Sequence, residues 1–128
     1  MRDWSAVPYP AWWIARAAER RIELDRAVDR IRTVVRESDD IVGALVFGSY
    51  ATGKVGPESD LDVMLVTTIP ANGDPGLRYA LLINRLALGV PCDLLIYQPE
   101  EFARLSVERG FIAQAQREGI WIDATPSA

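Results

Sequence analysis

The sequence predicts an α/β (α+β) domain in which a small mixed sheet of three to four strands is flanked by helices. Two observations predict this class. Short apolar runs of strand length alternate with longer segments whose apolar residues recur at helical spacing. A strand, a helix and a strand also follow one another through residues 60–97, and that order forms a right-handed parallel crossover. We divide the chain into an aromatic-rich helical extension (residues 1–23), a main domain (24–122) and a loose tail (123–128).

The N-terminal extension begins with an aromatic-rich segment, and its sequence then predicts a long helix. A flexible tail would not carry so many large aromatic rings. Pro10 suits the first turn of a helix. The helical spacing that follows predicts one long helix, or two with a break near residues 20–21, ending around Glu37. The rings form either a dimer or partner surface or part of the domain's own core. They belong to Trp4, Tyr9, Trp12 and Trp13.

The sequence of the main domain predicts further strands and helices that are separated by turns. The predicted strands are residues 41–47, 60–67 and 93–97, with a short fourth strand at 120–122. One helix is predicted at residues 77–88, and another runs from residue 99 until Gly119 ends it. The residues that share one side of the first of these helices are Leu77, Ala80, Leu81, Asn84 and Leu88.

Composition excludes several classes of function. The chain of 128 residues has no histidine, which excludes serine–histidine and cysteine–histidine catalysis and histidine-ligated metals. Its net charge is −4 and its pI is about 4.8, whereas nucleic-acid binders usually carry a basic patch. Cys92 is the single cysteine, and no apolar run is long enough to span a bilayer. We expect a cytoplasmic protein with no membrane segment and no direct nucleic-acid binding.

Gly48 and Ser49 directly follow an apolar predicted strand and predict a phosphate-binding turn. Glycine lets the backbone turn sharply and approach a ligand closely. Exposed N–H groups and a serine hydroxyl after such a turn can hold phosphate oxygens. Lys54, the only lysine in the chain, either reaches the same phosphates as a point charge or is an ordinary surface lysine.

Asp60, Asp62 and Asp93 predict a metal site. Residues i and i+2 of a strand share a face, so Asp60 and Asp62 project the same way. Asp93 opens the strand that the crossover places beside theirs. Clustered carboxylates resist joint ionisation unless a cation lies between them, and Mg²⁺ is the cation that carboxylates and phosphates bind together. The set suits two-metal phosphoryl or nucleotidyl transfer.

The motif consists of Gly48-Ser49, ten intervening residues, Asp60-x-Asp62 and a later Asp93 on a predicted strand. It resembles that of the polymerase-beta-type nucleotidyltransferase superfamily. The resemblance is greatest to its minimal nucleotidyltransferases, which are often antitoxins of helical HEPN-domain ribonuclease toxins. It covers about residues 24–122. It implies a polymerase-beta-like fold, triphosphate binding by Gly48 and Ser49, and two Mg²⁺ ions held by the three aspartates. Many relatives have arginine where this chain has Thr52, which leaves the substrate class open.

The resemblance implies transfer of AMP from Mg-ATP to a hydroxyl of a protein partner, as the antitoxin of a HEPN toxin. Without histidine, Asp93 is the best-placed general base for that hydroxyl. Two alternatives stay open: a non-catalytic antitoxin or nucleotide-binding module, and transfer to a small molecule such as an aminoglycoside. The size of the chain disfavours the last, because no second domain is present to enclose a small acceptor. A homo-oligomer formed through the N-terminal aromatic residues is also possible.

Overall fold

The computed structural model describes residues 9–107 and 110–124 and confirms the predicted mixture of helices and strands. The helices are α1 (Ala11–Glu37), α2 (Gly48–Ala51), α3 (Pro75–Leu86), α4 (Pro99–Ser106) and α5 (Phe111–Glu118). The strands are β1 (Ile41–Phe47), β2 (Leu61–Thr67), β3 (Cys92–Tyr97) and β4 (Ile120–Asp123). None of the described helices combines the length and the apolar character needed to cross a membrane.

The four strands form one mixed sheet in the order β3-β2-β1-β4. Strand β1 is antiparallel to both β2 and β4, whereas β2 and β3 are parallel. The connection from β2 through α3 to β3 is therefore the predicted parallel crossover. In its register Asp62 lies directly opposite Asp93.

Each face of the sheet is covered by helices. Alternate residues of β2 point to opposite faces, as the pleat requires. Leu61, Val63 and Leu65 pack with α1 and α3 in the larger core, whereas Met64 and Val66 pack under α4 and α5. The central strands are thus buried on both sides, and only the end of β2 that carries Asp62 reaches a partly exposed environment.

Helix α1 is one unbroken helix of 27 residues, without the alternative break near residues 20–21. It runs across the proposed boundary at residue 23, and that division of the chain stays a prediction. The predicted single helix from residue 99 to Gly119 is wrong, because α4 ends at Ser106 and α5 begins at Phe111 after an extended Gly110 (φ 162°, ψ −159°). Two shorter helices cover the same sheet face.

The side of α3 that the sequence predicted is not the side that packs. Leu77 and Leu81 are 67% and 47% exposed, whereas Leu82 and Leu86 are fully buried. Apolar residues lie almost all round this helix, so spacing alone does not distinguish one candidate face from the next. The orientation of the helix on the sheet decides which side is buried.

Of the described N-terminal aromatic residues, one packs on the domain itself and the others are exposed. The Trp13 ring stacks on Tyr9 with centroids 4.0 Å apart. It also lies against the loop before β2, since a Cβ added at Gly56 would be 3.3 Å from Trp13 Cζ2. Trp12 and Tyr9 are 66% and 62% exposed, so a partner surface there stays a prediction. Trp4 lies outside the described residues, as does the predicted tail beyond residue 124.

We expect Leu82→Ala to lower the free energy of unfolding by about 2–5 kcal/mol, because it leaves a cavity in the larger core. Leu81→Ala on the same helix should lower it by clearly less, because about half of that side chain is already in water. Urea denaturation of the two variants measures both. Equal losses would contradict the orientation of α3 described above.

Candidate active site

A cavity of about 420 Å³ opens on the sheet face that α5 covers. One wall is polar and is formed by Gly48, Asp62 and Asp93. Residues of α5 form another part of the lining, which we call the α5 wall, and Phe47 and Leu95 of the sheet complete it. The residues of the α5 wall are Phe111, Gln114, Ala115 and Glu118.

Gly48 lets the backbone pass directly over the Asp62 carboxylate. Its φ of +73° lies in the left-handed region, which glycine adopts without steric cost. A Cβ at this position would collide with Asp62 Oδ2 and would lie 2.9 Å from Asp62 Cγ. The chain then enters α2, where Thr52 Oγ1 donates a hydrogen bond to Gly48 O at 3.1 Å. Glycine is thus required here by close approach as well as by conformation.

Helix α2 is held in place by α1 through the side chain of Tyr50. The buried Tyr50 hydroxyl donates a 2.6 Å hydrogen bond to Asp25 Oδ1. The Arg21 guanidinium lies 4.3 Å from the centroid of the same ring and pairs with Asp25 at 3.3 Å. Burial and the Asp25 carboxylate raise the pKa of Tyr50, so the phenol remains a donor at neutral pH. These contacts fix the turn at Gly48 relative to the sheet.

Asp62 and Asp93 form a close pair of carboxyl groups across the parallel strands. Burial is the largest cause that raises the pKa of Asp62, followed by the charge of Asp93, a hydrogen bond shared with Asp93, and the charge of Asp60. Asp93 itself is exposed at the surface of the cavity. The pair is therefore an electrostatically unfavourable arrangement that a cation would relieve.

Asp60 lies just before β2 and is exposed. It is close enough for its charge to raise the pKa of Asp62. Within residues 9–107 and 110–124, however, no three acidic or cysteine side chains are grouped so that they could hold a metal ion. The structure thus brings Asp62 and Asp93 together in the cavity, whereas Asp60 is not one of the residues that line it. Metal binding by the three acids stays a prediction.

The donor chemistry of the polar wall fits a hard divalent cation such as Mg²⁺. Its side-chain ligands are carboxylate oxygens, which Mg²⁺ prefers and which phosphates of a substrate commonly supplement. The neighbouring thiol does not compete, because burial first, and then the nearby acids, raise the pKa of Cys92 to about 12. A protonated thiol is a poor metal ligand.

Ser49 and Lys54 are not among the residues that line the cavity. Ser49 is the second residue of α2 and is partly exposed. Lys54 is exposed, and its backbone N–H donates to Ser49 O at 2.8 Å, which closes the turn after α2. Phosphate contacts by these two residues stay a prediction.

The α5 wall is the part of the site that sequence analysis missed. Phe111, Gln114 and Glu118 were assigned to a helix without any role in the site. The available signal was their spacing: with Ala115 they occupy positions i, i+3, i+4 and i+7, which lie on one side of a helix. That spacing identifies a shared face but not the feature that the face contacts.

A mixed sheet with a glycine turn above paired aspartates on parallel strands defines the class of nucleotidyltransferase domains. The chain matches the family model described as "Nucleotidyltransferase domain" over residues 28–122, and it belongs to this family. It is also similar to a crystal structure of a Sulfolobus solfataricus protein assigned as a nucleotidyltransferase. That match has a TM-score of 0.51 and 22% identity and covers 70% of this chain and 79% of the other, which supports the fold. Among curated proteins, none has a significantly similar sequence.

We expect Gly48→Ala to destabilise the protein more than Gly53→Ala. Both glycines have positive φ values, +73° and +75°, so each substitution costs about 1–2 kcal/mol for a left-handed alanine. Only Gly48→Ala also drives a methyl group into Asp62, since a Cβ at Gly53 meets nothing within 4 Å. That overlap should add about 1–3 kcal/mol. Thermal and urea unfolding measure the difference.

The matched background is Asp62→Ala, which removes the carboxyl group that the new methyl group would meet. In that background the two glycine substitutions should have nearly equal costs. A persistent difference would mean that the close approach of Gly48 to Asp62 is not the cause.

We expect Asp62→Asn to raise the free energy of unfolding at pH 7. The pKa of Asp62 is raised in the folded protein, so the unfolded state loses this proton first as the pH rises. The wild-type carboxyl group therefore destabilises the fold above its unfolded pKa, at roughly pH 4. The advantage of the asparagine variant should be greatest at neutral pH and shrink below about pH 4.

Urea denaturation between about pH 3 and pH 7 tests this pH dependence. Asp74→Asn is the control, because Asp74 caps α3 through a 3.0 Å bond from Leu77 N, and asparagine caps a helix equally well. A pH-independent gain in Asp62→Asn, or an equal gain in Asp74→Asn, would contradict electrostatic repulsion at Asp62.

Proposed function

We propose that this nucleotidyltransferase transfers AMP from Mg-ATP to a hydroxyl group of a protein partner and releases pyrophosphate. The observation that carries the proposal is the Asp62–Asp93 pair, which lies at one register position of two parallel strands directly beneath the Gly48 turn. Membership of the nucleotidyltransferase family supports the class of reaction. The site supports the requirement for a cation, because the paired acids repel each other.

In the proposed reaction the acceptor oxygen attacks the α-phosphorus, a new P–O bond forms, and the bond to pyrophosphate breaks. The hydroxyl proton passes to the Asp93 carboxylate, which is exposed to an incoming acceptor. Asp62 and Asp93, with Asp60 at the margin, would hold Mg²⁺, which when bound neutralises triphosphate charge and polarises the acceptor. The Gly48 turn would place backbone N–H groups beside the phosphates.

The acceptor we propose is a side-chain hydroxyl, such as that of tyrosine, on a helical HEPN-domain toxin. The net charge of −4 disfavours a polynucleotide acceptor. The cavity is open, so a side chain that projects from a protein surface can enter it. The exposed rings of Tyr9 and Trp12 are candidates for contact with such a partner. An added AMP would bring negative charge to a site that must bind RNA phosphates.

A second candidate is a non-catalytic antitoxin that binds nucleotide without transferring it. The position of Asp60 favours this candidate, since the described residues include no group of three acids arranged to hold a metal ion. The two candidates differ in whether the partner becomes covalently modified.

The decisive experiment incubates the chain, Mg²⁺ and ATP labelled at the α-phosphate with a HEPN protein encoded beside it. We expect label on the partner, and we expect Asp62→Asn to lower the rate of labelling by about a hundredfold or more, as loss of a main charge-stabilising group does. Asp74→Asn, a remote acid on α3, should label the partner at the wild-type rate.

A lack of label with wild-type protein, together with suppression of toxicity by Asp62→Asn, would favour the non-catalytic antitoxin. Label on the partner that is equal in wild-type and Asp62→Asn would contradict the assignment of the site. Mass spectrometry of the labelled partner identifies the acceptor side chain.

A further inference from the structure

The α5 wall of the cavity differs from the polar wall of Gly48, Asp62 and Asp93, the carboxylate wall, because it combines an aromatic ring with polar side chains. It presents one aromatic ring, Phe111, and two polar side chains, Gln114 and Glu118, on one side of the helix. The carboxylate wall carries the two aspartates proposed to hold Mg²⁺ and triphosphate. A ligand that fills both halves has a highly charged end and a flat, less polar end.

Phe111 is positioned to stack against a planar group. Its ring contacts Phe47 edge to face, with centroids 5.3 Å apart and an interplanar angle of 82°. This geometry is favourable for aromatic pairs and limits the motion of the ring. The side chain nevertheless stays 58% exposed although it lines the cavity. A large exposed ring of this kind is a stacking platform for a nucleobase.

The polar groups of the wall present both acceptors and a donor. Gln114 Nε2 donates to Glu118 Oε1 at 3.4 Å, which directs the amide nitrogen along the helix. Gln114 Oε1 and the second Glu118 oxygen are then available as acceptors, and the second N–H of the Gln114 amide is available as a donor. Nucleobases carry both donors and acceptors along their edges. The wall can therefore form hydrogen bonds with the edge of a base.

We propose that α5 binds the base of the nucleoside triphosphate, with Phe111 stacking on it and Gln114 and Glu118 forming hydrogen bonds with its edge. A purine is favoured over a pyrimidine because its two fused rings cover more of Phe111. A cavity of about 420 Å³ is within the usual range for small-molecule sites. This inference rests on the proposed function, because it assumes that the triphosphate lies at the carboxylate wall.

The test is calorimetric titration of the full chain with the Mg²⁺ complexes of ATP, GTP and inorganic tripolyphosphate. We expect ATP and GTP to bind more tightly than tripolyphosphate, which has no base to stack on Phe111. Phe111→Ala should weaken ATP binding by roughly tenfold or more and leave tripolyphosphate binding unchanged. Phe111→Tyr should retain ATP affinity. Tyr79→Ala, which removes an exposed ring on α3, is the matched control and should change neither.

The contact with the edge of the base is tested with Glu118→Gln, which replaces an acceptor oxygen with an amide donor. It should change the ratio of ATP to GTP affinity several-fold, because the two bases present different donors and acceptors, whereas Glu100→Gln on α4 should leave the ratio unchanged. Equal affinity of wild-type protein for ATP and tripolyphosphate, or an unchanged ATP affinity in Phe111→Ala, would overturn the inference while leaving the proposed function intact. Failure of the wild-type chain to bind any of the three ligands would overturn both.

Discussion

The parallel pairing of β2 with β3 is the constraint on which the site depends. It places Asp62 opposite Asp93, and burial together with the repulsion from Asp93 raises the pKa of Asp62. Strand β2 is buried on both faces of the sheet, so the core fixes the backbone register that sets the two carboxyl groups opposite each other. The sheet therefore holds together two groups that would separate in water, which is the arrangement a cation-binding site requires.

The other elements fix what surrounds that pair. Helix α1 holds the Gly48 turn above Asp62 through the Tyr50 hydrogen bond to Asp25. At the far end of the crossover, Arg85 Nη2 donates to Asp40 Oδ2 at 3.1 Å, and the guanidinium lowers the pKa of Asp40. This pair ties the last turn of α3 to the start of β1. The site is thus positioned by contacts between elements far apart in the chain.

The proposed transfer reaction and the proposed binding of the base use structurally different parts of the domain. In the carboxylate wall, Asp62 lies on the central strand β2, which the core packs on both faces, and Asp93 lies opposite it on the edge strand β3. The α5 wall instead uses exposed side chains of a short helix, and Phe111 is limited mainly by its contact with Phe47. This division would allow nucleotide selectivity to vary without changes to the chemistry of phosphoryl transfer.

The sequence by itself determined the strands, the crossover and the position of the Asp93 strand beside that of Asp62, because alternation in strands and the handedness of the crossover are local or topological rules. The register that sets Asp62 rather than Asp60 opposite Asp93 came from the structure. The sequence also determined the need for glycine at residue 48, through the resemblance of the motif. It did not determine the separation of α4 from α5, because apolar residues at helical spacing continue across both helices while the backbone is extended at Gly110.

Tertiary structure alone decided which side of α3 is buried: Leu82 is fully buried, whereas Leu81 is about half exposed. It also decided that Trp13 packs on the loop at Gly56 while Trp12 stays exposed. Tertiary structure also decided that the α5 wall lines the cavity. The spacing of Phe111, Gln114 and Glu118 predicts that they share a helix face but not which part of the protein that face contacts. Helical periodicity specifies relative positions around one axis. The direction of that axis is set by packing against residues distant in sequence.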